Sequence, residues 1–143
     1  MIQGLRPAVL DRLGLLAGLE WLASDVTEYS GVNTSIQIIG RQRRVDEDTE
    51  LVLFRITQEA LRNVCRHSKA TKAEIQVNFK LNKIAITISD NGRGFDIPQR
   101  IGDFARSGKM GLSGMQERVR LIGGTVSVQS HPGKGSSVTV EIP

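Results

Sequence analysis

Along this chain the spacing of apolar residues changes period. After Pro7, the run AVLDRLGLLAGLEWLASDVTEYS carries Val9, Leu13, Leu16, Leu19, Leu22 and Val26 at three- and four-residue steps. That period predicts a first helix, ended near Gly31. Ser35 to Ile39 reads as a short strand. Asp46 or Asp48 then caps a second helix running to about His67, with Leu53, Ile56, Ala60 and Val64 as its apolar stripe. From Ile75 onward the step falls to two. Ile75, Val77 and Phe79 alternate, as do Ile84, Ile86 and Ile88, and only Leu81-Asn82 separates the runs, so they predict a β-hairpin. Residues Ile97 to Met110 show no period and read as a mobile loop. A third helix is expected from about Ser113 to Ile122, stopped by Gly123-Gly124. Val126 and Val128 mark a strand, Pro132, Gly133 and Gly135 a turn, and Val138, Val140 and Ile142 a last strand. The expected fold class is α+β: a two-layer sandwich with a mainly antiparallel sheet and helices on one face.

Composition narrows this picture without redirecting it. The 143 residues suit one globular unit with one core. Aromatics make up only 4% of the chain, so the core must be aliphatic. The net charge of +4 is mild. Arg41, Arg43 and Arg44 cluster, but no aromatic residues interleave with them as stacking platforms. They read as a solvated loop, and no nucleic-acid partner is expected. Cys65 is the one cysteine; it permits no internal disulfide and is expected to pack as a small apolar residue on its helix. No apolar run approaches the length of a membrane span and no signal peptide opens the chain, so a cytoplasmic location is expected. A longer parent could still sit in a membrane.

Three stretches could carry chemistry. Glu59, Asn63 and His67 recur at four-residue spacing and so share one helix face. The plain reading is a solvent-facing polar stripe. The functional one is a Mg²⁺ site, with Asn63 offering a hard carbonyl oxygen and Glu59 holding or polarising a metal-bound water. The second stretch is SDNGRGFD, Ser89 to Asp96, at the end of a strand. Asn91-Gly92 favours a tight hairpin turn, but no strand follows directly. A calcium loop of EF-hand type fails, because Gly92 and Gly94 fall at its side-chain ligand positions and Ile101 at its twelfth. A third reading is base recognition: the Asp90 carboxylate accepts from the exocyclic amine of adenine, and Gly92 and Gly94 let the backbone approach the ring. The third stretch is SGKMGLSGMQERV, Ser107 to Val119. Its glycines precede a helix N-terminus that favours anions, and Lys109 adds charge; a plain glycine loop with a helix cap explains it equally well. A P-loop does not fit, since Gly102 is one residue too far from Gly108 and Met110 replaces the hydroxyl.

The order of these features is more specific than any of them. QEALRNVCRH resembles the N box, DNGRGFD the G1 box and KMGLSGM the G2 box of the ATP-binding domain of sensor histidine kinases, in the superfamily shared with type II topoisomerases and MutL. PGKGSSVTVEIP resembles the last box and closing strand, so the likeness runs from about Asp46 to Pro143. LRPAVLDRLGLLAGL is similar to the segment that follows the phosphoacceptor helices in the NarL-partner, DesK-like (HisKA_3) kinases. The resemblance implies a Bergerat ATP-binding fold, with residues 1–30 as a helical segment and 31–143 as the catalytic domain. It implies ATP and Mg²⁺ as cofactors. It puts Asp90 on the adenine amine, Gly92 and Gly94 at the pocket floor, Asn63 on Mg²⁺, and Glu59 beside it as the catalytic carboxylate. His67 and Lys109 would approach phosphate. Gly111 and Gly114 would give phosphate-facing backbone in a lid, Leu112 would pack near the nucleotide or in the core, and Ser136 stands where the family often has Thr.

These kinases move the γ-phosphoryl of ATP to a histidine on a separate helical hairpin. Only His67 and His131 occur here, and neither has the acidic neighbour expected beside a phosphoacceptor. The implied partners are therefore that hairpin, in a parent that is dimeric and membrane-bound in some cases, and a LuxR/NarL-type response regulator; the piece itself is expected to be monomeric. The lid and the first helix, with Leu13, Leu16 and Leu19, are the expected docking surface. An anti-sigma-type serine kinase of the same fold is the alternative, against which the helix from Leu5 to Tyr29 argues.

Overall fold

The computed structural model describes residues 14–43, 45–65, 69–92, 113–130 and 135–143. Helix α1 spans Leu15–Ser30 and ends on Gly31, which takes the left-handed φ of 79° and donates its N–H to the Thr27 carbonyl. Strand β1 spans Asn33–Gly40. It is longer than the apolar run because its pairing with a neighbouring strand recruits Asn33, Thr34 and Gly40, which alternation alone does not mark. Helix α2 spans Glu47–Asn63. Of its two candidate caps, Asp46 holds the position: its carboxylate accepts from the Thr49 hydroxyl at 2.7 Å and the Thr49 N–H at 3.1 Å. Those two bonds, the hydroxyl first, hold the Asp46 carboxyl below its ordinary value. The helix ends regularly at Asn63 and passes into a wider π-type turn at Val64 and Cys65.

Strands β2 (Lys72–Phe79) and β3 (Ile84–Asp90) form the expected hairpin, and Lys80 N–H to Lys83 O at 2.8 Å closes the turn around Leu81-Asn82. Helix α3 spans Ser113–Leu121. Gly123, at φ 84°, and Gly124 return their N–H groups to the carbonyls of Arg120 and Val119, which stops the helix as the glycine pair predicts. Strands β4 (Thr125–Ser130) and β5 (Ser136–Ile142) complete the chain.

The five strands form one sheet in the order β1-β2-β3-β5-β4. β1 and β2 are parallel and all other pairs are antiparallel. Register lines up the core-facing rows: Ile36, Ile75, Ile88, Val138 and Val128 in one, Ile38, Val77, Ile86, Val140 and Val126 in the next. The other face is polar, with Glu74, Ser89 and Ser137 abreast. The helices therefore lie on one face, as the alternation requires.

Leu19 and Leu22 of α1 and Leu53, Phe54, Ile56 and Leu61 of α2 are fully buried in a single core with the sheet. Each such burial contributes about 1.5–3 kcal/mol. This corrects one expectation: Leu19 belongs to the core and is not free for docking, and Leu16 is half-buried against it. Leu13 lies outside the described residues. Cys65 is exposed, not packed. Among the described residues, no helix is long and apolar enough to cross a membrane.

The direction of α2 matters most for function. Val45 and Glu50, at its start, line a groove of about 290 Å³ with Phe79 and Ile84. The helix packs against β3 and β5. Its 17 residues run roughly 25 Å, slightly longer than the seven residues of β3 at roughly 3.3 Å each. Its last turn, with Glu59 and Asn63, is thereby carried toward the sheet end where β3 finishes in Asp90.

Candidate functional site

Asp90 is the last residue of β3 and falls in register with Ala73 of β2 and Ser136 of β5. By alternation from Ile88 its side chain is on the helix-facing side of the sheet. The row that ends the sheet is thus a carboxylate where the rows behind it are aliphatic. Asp90 is half-buried, and both of its carboxylate oxygens are engaged. Oδ1 accepts from the Gly92 N–H at 2.7 Å, and Oδ2 accepts from the Ser136 hydroxyl at 2.6 Å. Such charge-assisted bonds are short and directional. They fix the plane of the carboxylate and still leave a lone pair on each oxygen for a ligand donor. Gly135, just before β5, has a φ of 80°, and a Cβ there would collide with the Asp90 carbonyl oxygen. Only glycine lets β5 start this close to the end of β3.

Glu59 and Asn63 are half-buried on the last turns of α2, not on an open solvent face. Arg62 Nη1 stands 3.9 Å from Glu59 Oε2, a loose pair on the same helix. On the neighbouring α3, Arg118 lies close enough to Arg55 of α2 to add to the burial that lowers the Arg55 pKa. Among the described residues, no three His, Cys, Asp or Glu side chains come together as a metal cage. A cation here would take one or two protein oxygens and complete its shell from phosphate and water, the pattern usual for Mg²⁺. The Asn63 amide and the Glu59 carboxylate are hard oxygen donors of that kind. Gly114 lies in the first turn of α3. His67, Gly94, Lys109, Gly111 and Leu112 lie outside the described residues.

Asp90, Gly92 and Ser136 are thus brought into direct contact, while Glu59 and Asn63 stand together on the last turns of α2. Ser136 makes a direct bond to Asp90, a closer link than its place as a family Thr equivalent suggested; the register pairing of Asp90 with Ser136 is what creates it. Asn91 was read only as a turn residue, yet its side chain makes three hydrogen bonds at this end of the sheet. On the opposite face, Asn33, Ser35, Lys72, Glu74, Ser89 and Asn91 line an open depression of about 450 Å³. It is shallow and reaches the edge of the site at Ala73 and Asp90.

Residues 48–143 match the family described as histidine kinase-, DNA gyrase B- and HSP90-like ATPase. The chain belongs to this family. The histidine-protein kinase/phosphatase DegS of Brevibacillus brevis is 34% identical over 143 residues, covering all of this chain and 36% of that protein. The oxygen sensor histidine kinase NreB of Staphylococcus carnosus is 33% identical over 139 residues, covering 97% of this chain and 39% of that protein. The chain therefore spans little more than a third of each of these two relatives. The solved histidine kinase domain of the Erythrobacter litoralis EL346 blue-light activated kinase shares the fold, with a TM-score of 0.68 at 22% identity over 87% of this chain and 58% of that one. These relatives fit the sensor-kinase subfamily read from the N-terminal segment, and they favour it over the serine-kinase alternative.

Proposed function

We propose that this chain is the ATP-binding catalytic domain of a two-component sensor histidine kinase. It binds ATP with Mg²⁺ and delivers the γ-phosphoryl to a histidine on a separate helical hairpin of the parent protein. A response regulator of the LuxR/NarL type then takes the phosphoryl group. In this reading residues 1–30 lead in from the hairpin, with α1 packed into the same core as the catalytic unit at 31–143, and the domain works in the cytoplasm. The observation that carries it is the Asp90 carboxylate, fixed by Gly92 and Ser136 at the helix-facing end of the sheet.

A carboxylate so held accepts from the 6-amino group of adenine and repels the 6-carbonyl of guanine. Asn63 and Glu59 approach the triphosphate from α2. Bound Mg²⁺ would neutralise charge between the phosphates. Phosphoryl transfer asks mainly for positioning and charge stabilisation, and the N-terminus of α3 supplies oriented N–H groups for the phosphates. In this reading Glu59 acts as the base toward the attacking imidazole or holds a metal-bound water.

Calorimetric titration with ATP, ADP and GTP tests the reading. Wild type should prefer ATP to GTP, and Asp90→Ala should lose about 1–3 kcal/mol of ATP binding, roughly 5- to 150-fold. Equal affinity for the two triphosphates would sink it.

A further inference from the structure

We propose that Asn91 is a positioning residue for base recognition: it sets the orientation of the Asp90 carboxylate by clamping the backbone between Asp90 and Gly92. This rests on the reading of Asp90 as the adenine acceptor.

The clamp is unusually complete. Asn91 Oδ1 accepts from the N–H groups of both Thr71 and Lys72, each at 3.0 Å. Its Nδ2 donates to the Thr71 hydroxyl at 3.0 Å. Its own N–H donates to the Lys72 carbonyl at 3.2 Å, one step beyond the last β2–β3 register pair, Ala73 with Asp90. Both lone pairs of the amide oxygen are thereby used, and one of the two amide protons. Thr71 in turn is tied to β1, since its carbonyl accepts from the Asn33 N–H at 3.0 Å. On the other side, Gly135 closes in: a Cβ there would stand 3.3 Å from Asn91 Cα. The residue is held from β2 and walled from β5.

What the clamp controls lies on either side of it in sequence. The Gly92 N–H reaches the Asp90 carboxylate only if the chain folds back at Asn91. Free rotation at Asn91 would swing Gly92 away and release Oδ1. The Ser136 bond alone would then hold the carboxylate, about one axis rather than in a plane. All three side-chain bonds of Asn91 are solvent-exposed, so each adds little to global stability. Their consequence is the angle at which Asp90 meets a donor, not the survival of the sheet. Substitution should therefore separate binding specificity from folding.

The test compares ATP with purine riboside triphosphate, which lacks only the 6-amino group. Binding is measured by calorimetry with Mg²⁺ on the full 143-residue chain, with thermal unfolding in parallel. Wild type should bind ATP more tightly than the analogue, and Asp90→Ala should abolish the difference. Asn91→Ala should lower the ATP preference about five- to ten-fold and leave analogue affinity within about two-fold. Asn91→Asp keeps an oxygen for Thr71 and Lys72 and should restore most of the preference; its added charge acts on both triphosphates alike. A purely structural Asn91 would give a different result: Asn91→Ala would weaken both ligands equally or change neither, and that overturns the proposal. If Asn91→Ala does not fold, Thr71→Val decides. It removes one of the clamp's partners and should reduce the preference about two-fold; an unchanged preference overturns the proposal. Wild type that fails to distinguish the two ligands would instead overturn the assignment of Asp90 itself.

Discussion

At one end of the sheet the last helix-facing row is Phe79, Ile84 and Ile142; at the other it is Ala73, Asp90 and Ser136. The same three strands supply both rows. The first end is closed by packing. All three of its residues are buried, the Arg43 guanidinium stands 5.7 Å from the centre of the Phe79 ring and donates to the Lys83 carbonyl, and Lys83 and Lys80 pair with Glu141 outside. The second end is closed by hydrogen bonds among small residues, with glycine admitting the close approach of β5. Apolar packing tolerates small shifts, because dispersion and burial are not directional. A hydrogen-bonded carboxylate does not, because its use depends on angle. One end is thus held by forces that ignore direction, and the other fixes a direction, as the proposed recognition of a base requires.

The comparison can be broken at the packed end first. Phe79→Ala should cost about 3 kcal/mol or more by chemical denaturation. In the folded fraction, the ratio of ATP to GTP affinity should stay as in wild type; a changed ratio would mean the two ends are coupled. Gly135→Ala probes the other end. Its Cβ cannot coexist with the Asp90 carbonyl, so β5 must withdraw, at about 1–3 kcal/mol of stability. Here nucleotide preference should fall together with stability, unlike for Phe79→Ala, and thermal unfolding with and without ATP reads both.

The smallest effect is electrostatic. Asp46 and Glu141 both have carboxyl pKa values held down in the folded protein, by Thr49 and by Lys83 respectively. A lowered folded value means stability that is fully present above the ordinary carboxylate range, near 4, and lost as pH falls through the folded value. Asp46→Asn should flatten the acid limb of the unfolding profile slightly and leave nucleotide binding at neutral pH unchanged.

Much of this was legible in the residues. Period fixed the helices and strands because each buries one face: Leu22 and Val26, or Ile84, Ile86 and Ile88, could face only inward. Gly31 and the Gly123-Gly124 pair marked helix ends for reasons local to the backbone. Strand order was not legible, since alternation says which side of a strand is buried but not which strand lies beside it. The parallel pairing of β1 with β2 is of that kind. So is the bond from Ser136 to Asp90, which depends on β5 inserting between β3 and β4. Asn91 looked like a turn former because its partners, Thr71 and Lys72, are about twenty positions away, and nothing near it in sequence announces them.

The Asp90–Ser136 bond joins residues 46 positions apart, so forming it closes a long loop of chain. The entropy of such a closure grows only with the logarithm of length. Ten residues inserted between positions 92 and 113 would raise that cost by roughly 0.2 kcal/mol. The centre of the sheet is therefore nearly indifferent to how long that stretch is. Its length is free to change over evolutionary time while the carboxylate and its hydroxyl partner stay in place.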